Sequence, residues 1–428
     1  MTDVATAVEA PAVAPPTRMR ARLRGRFSRL LVVIGPGLIA AAAGNDAGGI
    51  ATYASAGAQF GYRTLFVMLL TAIALVIVQE MCARLGAYTG EGLVSLIREQ
   101  FPLRLGAFAV VCLIIANVGV VISEFAGIGA AFEIFGVSRY LTVPLAAIAI
   151  WAIVVFGSYR YVERVLLLLA LVFITYPIAM VLGHPDWGKV VSQSLLPHLL
   201  ADKEFLFLVV ALIGTTITPY MQLYQAAAVA DRGIGPDDYA DERIDSITGS
   251  ILAMFISFSI IIATAAAIGG TGPLSSADEA AQALEPVVGS GAEALFGIGL
   301  LGASALAAVV VPLATAYGVA EAAGTERSVS RTFAEAPLFL GLFTGQVVIG
   351  AAVALAPGNL IDLLINTQVV NGLVTPVILT FVLILANRRA VLGDAVNGPV
   401  LRVVSAAVVA VISVLAAVVF VQNVLGLG

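Results

Sequence analysis

Charge is what this chain has least of. Only 11% of its 428 residues are Asp, Glu, Lys or Arg, where a soluble domain carries about a quarter. A soluble chain of this length would not have enough charge to cover its surface. Cysteine is scarce too: Cys82 and Cys112 lie in apolar surroundings, which argues against a disulfide scaffold or a thiolate metal site. The two histidines, His184 and His198, share one polar loop and read as ordinary loop residues. No phosphate-cradling glycine loop appears, so direct ATP drive has no basis. No nucleophile–base pair or catalytic metal cluster stands out, and an enzyme is not expected; nor is a resident cofactor. The one basic run, RMRARLRGRFSR at 18–29, leads straight into an apolar stretch. It therefore reads as a cytosolic arm near anionic lipid, not a nucleic-acid site or a signal peptide.

What is abundant is hydrophobicity: 60% of residues, with a mean hydropathy of +1.02. Apolar segments of about 18 or more residues recur along the chain, which marks an all-α polytopic membrane protein. Eleven spans are expected, near 29–54, 62–82, 104–136, 142–158, 162–182, 205–230, 247–269, 292–318, 336–356, 360–386 and 402–425. With the N-terminus inside, 4 of the 22 basic residues (Arg63, Arg139, Lys189, Lys203) fall outside and the remaining 18 inside. This bias predicts a cytoplasmic N-terminus and, with eleven spans, an extracellular C-terminus in the cell membrane. The expected organisation is a disordered basic arm at 1–27, a ten-span core at 28–386, and an eleventh span with the C-terminus at 387–428.

Two spans carry helix-breaking residues. The first contains AAAGNDAGGIATY at 41–53, an Asn and an Asp followed by closely spaced glycines; the sixth contains GTTITPYMQ at 214–222. Pro219 has no amide hydrogen and disfavours helix at Thr218. Non-helical backbone at membrane depth must line a cavity or a ligand site. The alternative reading is plain: Pro and Gly also kink membrane helices structurally, and Asn45–Asp46 would then be a packing pair. The two breaks lie five spans apart, which fits two five-helix halves with a site between their discontinuous helices. An acid in such a site suits a cation.

These motifs resemble the NRAMP superfamily of divalent metal transporters. The family's Asp-Pro-Gly-Asn is here DAGG at 46–49, preceded by GPG at 35–37, and its Met-Pro-His is TPY at 218–220. QEMCARLGAYTGEGL at 79–93 and SEFAGIGAA at 123–131 match in order and position. The resemblance implies a LeuT-type fold, a 5+5 inverted repeat with discontinuous helices 1 and 6 and an added eleventh helix. It also implies metal-site positions at Asp46, Gly49, Thr218 and the Thr215 carbonyl, with Tyr220 at the helix-six His position. A tenth-helix Gln would fall at Val374, with Asn371 about one turn away. Val121 replaces an acid usual in helix three, Glu124 remains, and the span-nine arginines of the proton pathway have no counterpart in 336–356.

Loss of an amide at Gly49 and a thioether at Thr218 leaves an oxygen-rich site and predicts a larger cavity. Oxygen ligands with retained water suit Mg²⁺. The resulting expectation is a secondary transporter or facilitator of Mg²⁺, and also of Mn²⁺, without proton coupling, most like the NRAMP-related magnesium transporters. The alternatives are a proton-coupled Mn²⁺/Fe²⁺ transporter of the NRAMP type and a divalent cation channel. An organic-solute carrier and a non-transporting scaffold are further contrasts. The expected partners are the divalent ion and the lipid bilayer, with no nucleic acid and no obligate protein partner.

Overall fold

Apolar sequence with few charges must satisfy its backbone internally, and in this chain it does so as helices. The computed structural model describes residues 45–156, 175–200, 202–285, 289–325 and 333–425. The arm at 1–27, the first half of span one with its GPG, and most of span five lie outside the described residues.

The helices are α1 (Ala47–Phe60), α2 (Leu65–Thr89), α3 (Leu93–Gln100), α4 (Leu103–Ile134), α5 (Arg139–Val155), α6 (Thr175–Leu182), α7 (Trp187–Leu195), α8 (Lys203–Thr216), α9 (Pro219–Asp231), α10 (Tyr239–Ile268), α11 (Ala277–Ala281), α12 (Ala292–Ala323), α13 (Pro337–Ala354), α14 (Leu360–Ala386), α15 (Arg389–Leu392) and α16 (Pro399–Leu425). Eight helical stretches among the described residues are long and apolar enough to cross a membrane.

The break expected in span six is present between α8 and α9, and in span one the described residues begin at Asn45, just before α1. Asp46 is extended (φ −72°, ψ 175°) and caps α1 with its own side chain. Ile217 and Thr218 separate α8 from α9, with Thr218 extended (φ −67°, ψ 139°) and Pro219 at the first helical position of α9. There the missing N–H costs nothing, because the first turn has no intrahelical acceptor.

The core is built on α4, which packs most extensively against α12 and α14. Span one (α1) packs on span seven (α10), and span six (α9) packs on span two (α2). Exchanging each span with the one five further on maps the first pairing onto the second, as a 5+5 repeat requires. Close approach needs small residues. A side chain at Gly214 in α8 would collide with the Gln368 carbonyl and the Gly372 backbone of α14, so these two helices meet backbone to backbone beside the break. The last helix, α16, packs on α14 and α8 but leaves Val400, Val403 and Val414 largely exposed. Those valines suit lipid contact rather than water.

Candidate functional site

The first break organises itself around one carboxylate. Asp46 Oδ1 accepts a hydrogen bond from Gly49 N at 2.7 Å, satisfying one of the orphan donors at the start of α1. Behind it, Ala47 N donates to Glu124 Oε2 of α4 at 3.3 Å. Asn45 Oδ1 accepts from Ser257 Oγ of α10 at 3.2 Å. Asp46, Asn45 and Glu124 are all buried.

The second break faces the first. A Cβ placed on Gly49 would lie 3.0 Å from Thr215 Oγ1, 3.1 Å from Asp46 Oδ1 and 3.4 Å from Tyr53 Cε2. Asp46, Gly49 and Thr215 therefore meet at one point. Tyr53 OH and Thr216 Oγ1, 3.0 Å apart, tie α1 to α8 beside it. Thr218 is fully buried at the start of α9 with its hydroxyl unpartnered, as is that of Thr215. Tyr220 is buried close enough to Asp46 and Glu124 for their charges to act on it.

The third wall is α14. Asn371 Nδ2 donates to Gln368 Oε1 at 3.0 Å, and Asn371 Oδ1 has no partner. Gln368 Nε2 approaches Ser123 Oγ at 3.4 Å, and Ser123 Oγ donates to Glu124 Oε1 at 3.1 Å. Thr375 Oγ1 shares its one proton between Asn371 O of its own helix at 2.8 Å and Ile217 O at 3.2 Å, and so ties the second break to α14. A hydrogen-bonded chain thus runs from Asn371 through Gln368, Ser123 and Glu124 to the backbone of Ala47, one residue from Asp46.

Val374 is half-buried, while Gln368, fully buried, stands against Gly48. A side chain at Gly49 would crowd Thr215 and Asp46 and touch Tyr53. Sequence reasoning missed Gln368, Ser123 and Thr375. Their signal was two amides within one turn of an otherwise apolar helix.

The arrangement offers the Asp46 carboxylate, hydroxyl and amide oxygens, and the backbone carbonyls at the C-terminal end of α8. Such a set of oxygens suits a hard or borderline cation.

A family model for "Natural resistance-associated macrophage protein-like" (Nramp) proteins matches residues 37–422. The chain belongs to the Nramp family. It is 30% identical over 418 residues to the divalent metal cation transporter MntH of Ralstonia nicotianae, covering 91% of this chain and 90% of that one. Among solved structures it is similar to the Eremococcus coleocola manganese transporter, with TM-score 0.74, 19% identity, and coverage of 92% and 87%. MhsT in complex with L-phenylalanine is similar at TM-score 0.58 and 15% identity, covering 90% and 98%. The fold is thus the LeuT-type fold expected, in an all-α multi-pass membrane protein of a transporter family rather than an enzyme family.

The expectation of a magnesium facilitator without proton coupling is overturned by these matches. They group the chain with relatives named as MntH-type metal transporters and favour the alternative reading, the proton-coupled Mn²⁺/Fe²⁺ transporter of the NRAMP type. The physical reason lies in the ligands: oxygen suits Mn²⁺ as well as Mg²⁺, so losing the thioether does not by itself select magnesium.

Proposed function

We propose that this chain is a secondary transporter that carries Mn²⁺ into the cell with protons. The observation that carries the reading is the Asp46 carboxylate, held by Gly49 N at 2.7 Å and set against Thr215 where two broken spans meet. The names of the relatives, divalent metal cation transporter and manganese transporter, support the substrate class. In this reading Asp46 supplies the charge, and Thr215, Thr218 and Asn371 supply neutral oxygens. The Gly49 position keeps the backbone close, and Tyr220 closes the site from α9. Opposite charge then compensates the burial of Asp46, a cost an isolated anion would bear in full.

Glu124 is the group placed to hold the coupled proton, one hydrogen bond from the backbone next to Asp46. An inside-negative potential adds about 2.3 kcal/mol per charge per 100 mV, hence about twice that for a divalent ion. The N-terminus and the arm at 1–27 are proposed to be cytoplasmic, from the bias of Lys and Arg.

The test is Mn²⁺ uptake into sealed vesicles with internal pH recorded. Saturable uptake accompanied by acidification, lost in Asp46→Ala, is expected. Uptake without any pH change would remove the proton from the proposal. Single-channel conductance would favour the channel reading instead.

A further inference from the structure

One buried side chain near the site has no part in the network above. Gln222, in α9, is fully buried, and neither its amide oxygen nor its amide nitrogen has a hydrogen-bond partner. A buried, wholly unpaired amide is costly, and such groups call for an explanation. Its place in the helix supplies one. Gln222 lies four residues beyond Thr218 and four before Ala226, so the three share one face of α9. The Ala226 carbonyl abuts Gly86 of α2. Gln79, seven residues before Gly86 and on the same face of α2, is also buried and also ends on an unpartnered oxygen, Oε1. The Thr218 hydroxyl is unpartnered as well. The interface of α2 with α9 thus carries free oxygens one turn, about 5 Å, past the break.

We propose that Gln222 forms a second station for the transported divalent cation, reached after the ion leaves Asp46. The inference rests on the transport reading above. An ion that parts from its only carboxylate at membrane depth needs oxygen ligands on its next step. Gln222 Oε1 and Gln79 Oε1 provide neutral ones, which bind a divalent ion weakly enough to let it go. The Gln222 amide nitrogen donates to a water that the ion retains. Neutral amides fit a place of passage better than a carboxylate, which would trap the ion.

The experiment is Mn²⁺ uptake by vesicles carrying the full chain as wild type, Gln222→Leu or Gln222→Glu, with thermal melting of each protein in detergent. Leucine matches the shape of Gln222 and removes both unpaired groups, so Q222L should melt at or above the wild-type temperature. Its maximal rate should fall about tenfold, the loss expected for one ligand to a charged group, while the half-saturating Mn²⁺ concentration changes less than about twofold. Q222E should hold the ion, lowering both the half-saturating concentration and the maximal rate. Wild-type kinetics in Q222L would overturn the station. So would a loss of rate matched by a lowered melting temperature, which marks a structural role. Absence of Mn²⁺ uptake by the wild type would instead overturn the transport reading itself.

Discussion

The two breaks do different work with the same device. At the first, the chain satisfies itself: Asp46 bonds Gly49 N, and Glu124 bonds Ala47 N, so the start of α1 is capped by carboxylates on both sides. At the second, Thr218 makes no side-chain cap, Pro219 brings no donor, and the Thr215 and Thr218 hydroxyls are left without partners. Only the Ile217 carbonyl is clipped, by Thr375. One break therefore contributes fixed charge, and the other contributes loosely held neutral oxygen. In the proposed function, a cation between them would be drawn by the first and shaped by the second, with charge setting how strongly the ion is held and the neutral partners setting which ion.

That division can be broken at the charged side first. Asp46→Asn keeps the shape and the acceptor for Gly49 N but removes the charge. Mn²⁺ affinity measured by calorimetry should drop by about a hundredfold or more, since a full charge partner is lost in a dry site. If affinity survives, the first break is structural.

The neutral side should tune rather than abolish. Thr218→Met places a thioether in the second break, and competition assays should show preference moving toward the softer Cd²⁺ by about tenfold relative to Mn²⁺. An unchanged ratio would mean that Thr218 does not face the ion. Thr375→Val leaves the Ile217 carbonyl without its clip, at a cost of about 1–3 kcal/mol if no water replaces it. Melting temperature should fall by several degrees, and the half-saturating Mn²⁺ concentration should rise modestly.

The smallest effect is expected far from both breaks. Ser275 donates to Glu279 from its backbone N–H and its hydroxyl, at 2.7 and 2.5 Å, and holds that carboxyl below its ordinary value of 4.5. A depressed folded value means the stabilisation is fully present above the unfolded pKa and is lost as pH falls through the folded one. Glu279→Gln should flatten the fall in melting temperature below about pH 4.5, by roughly a few tenths of a kcal/mol after solvent screening. Transport near neutral pH should not change.

The fold was legible because lipid imposes simple rules. Span lengths, the low charge and the two breaks five spans apart are properties of local sequence, and most described spans follow them to within a few residues, although α2 runs on to Thr89 and α10 begins as early as Tyr239. Asp46 was legible for the same reason: an acid among glycines inside an apolar run has few explanations. The third wall was not. Gln368 is marked by no motif, because what matters is which face of α14 meets Gly48 and Ser123, and that depends on how closely Gly214 lets α8 approach. Nor does the sequence show that Thr215 and Tyr53 stand beside Gly49. Gln222 had no sequence signal at all, since an amide in an apolar helix is remarked only when its partners are known to be missing.

The most direct measurement is the anomalous scattering of crystals soaked in Mn²⁺. The account predicts a peak between the Asp46 carboxylate and the Thr215 carbonyl, within about 2.0–2.5 Å of oxygen ligands, and its loss in Asp46→Asn. A Mn²⁺ peak that persists in that variant, or that lies away from both breaks, would contradict it.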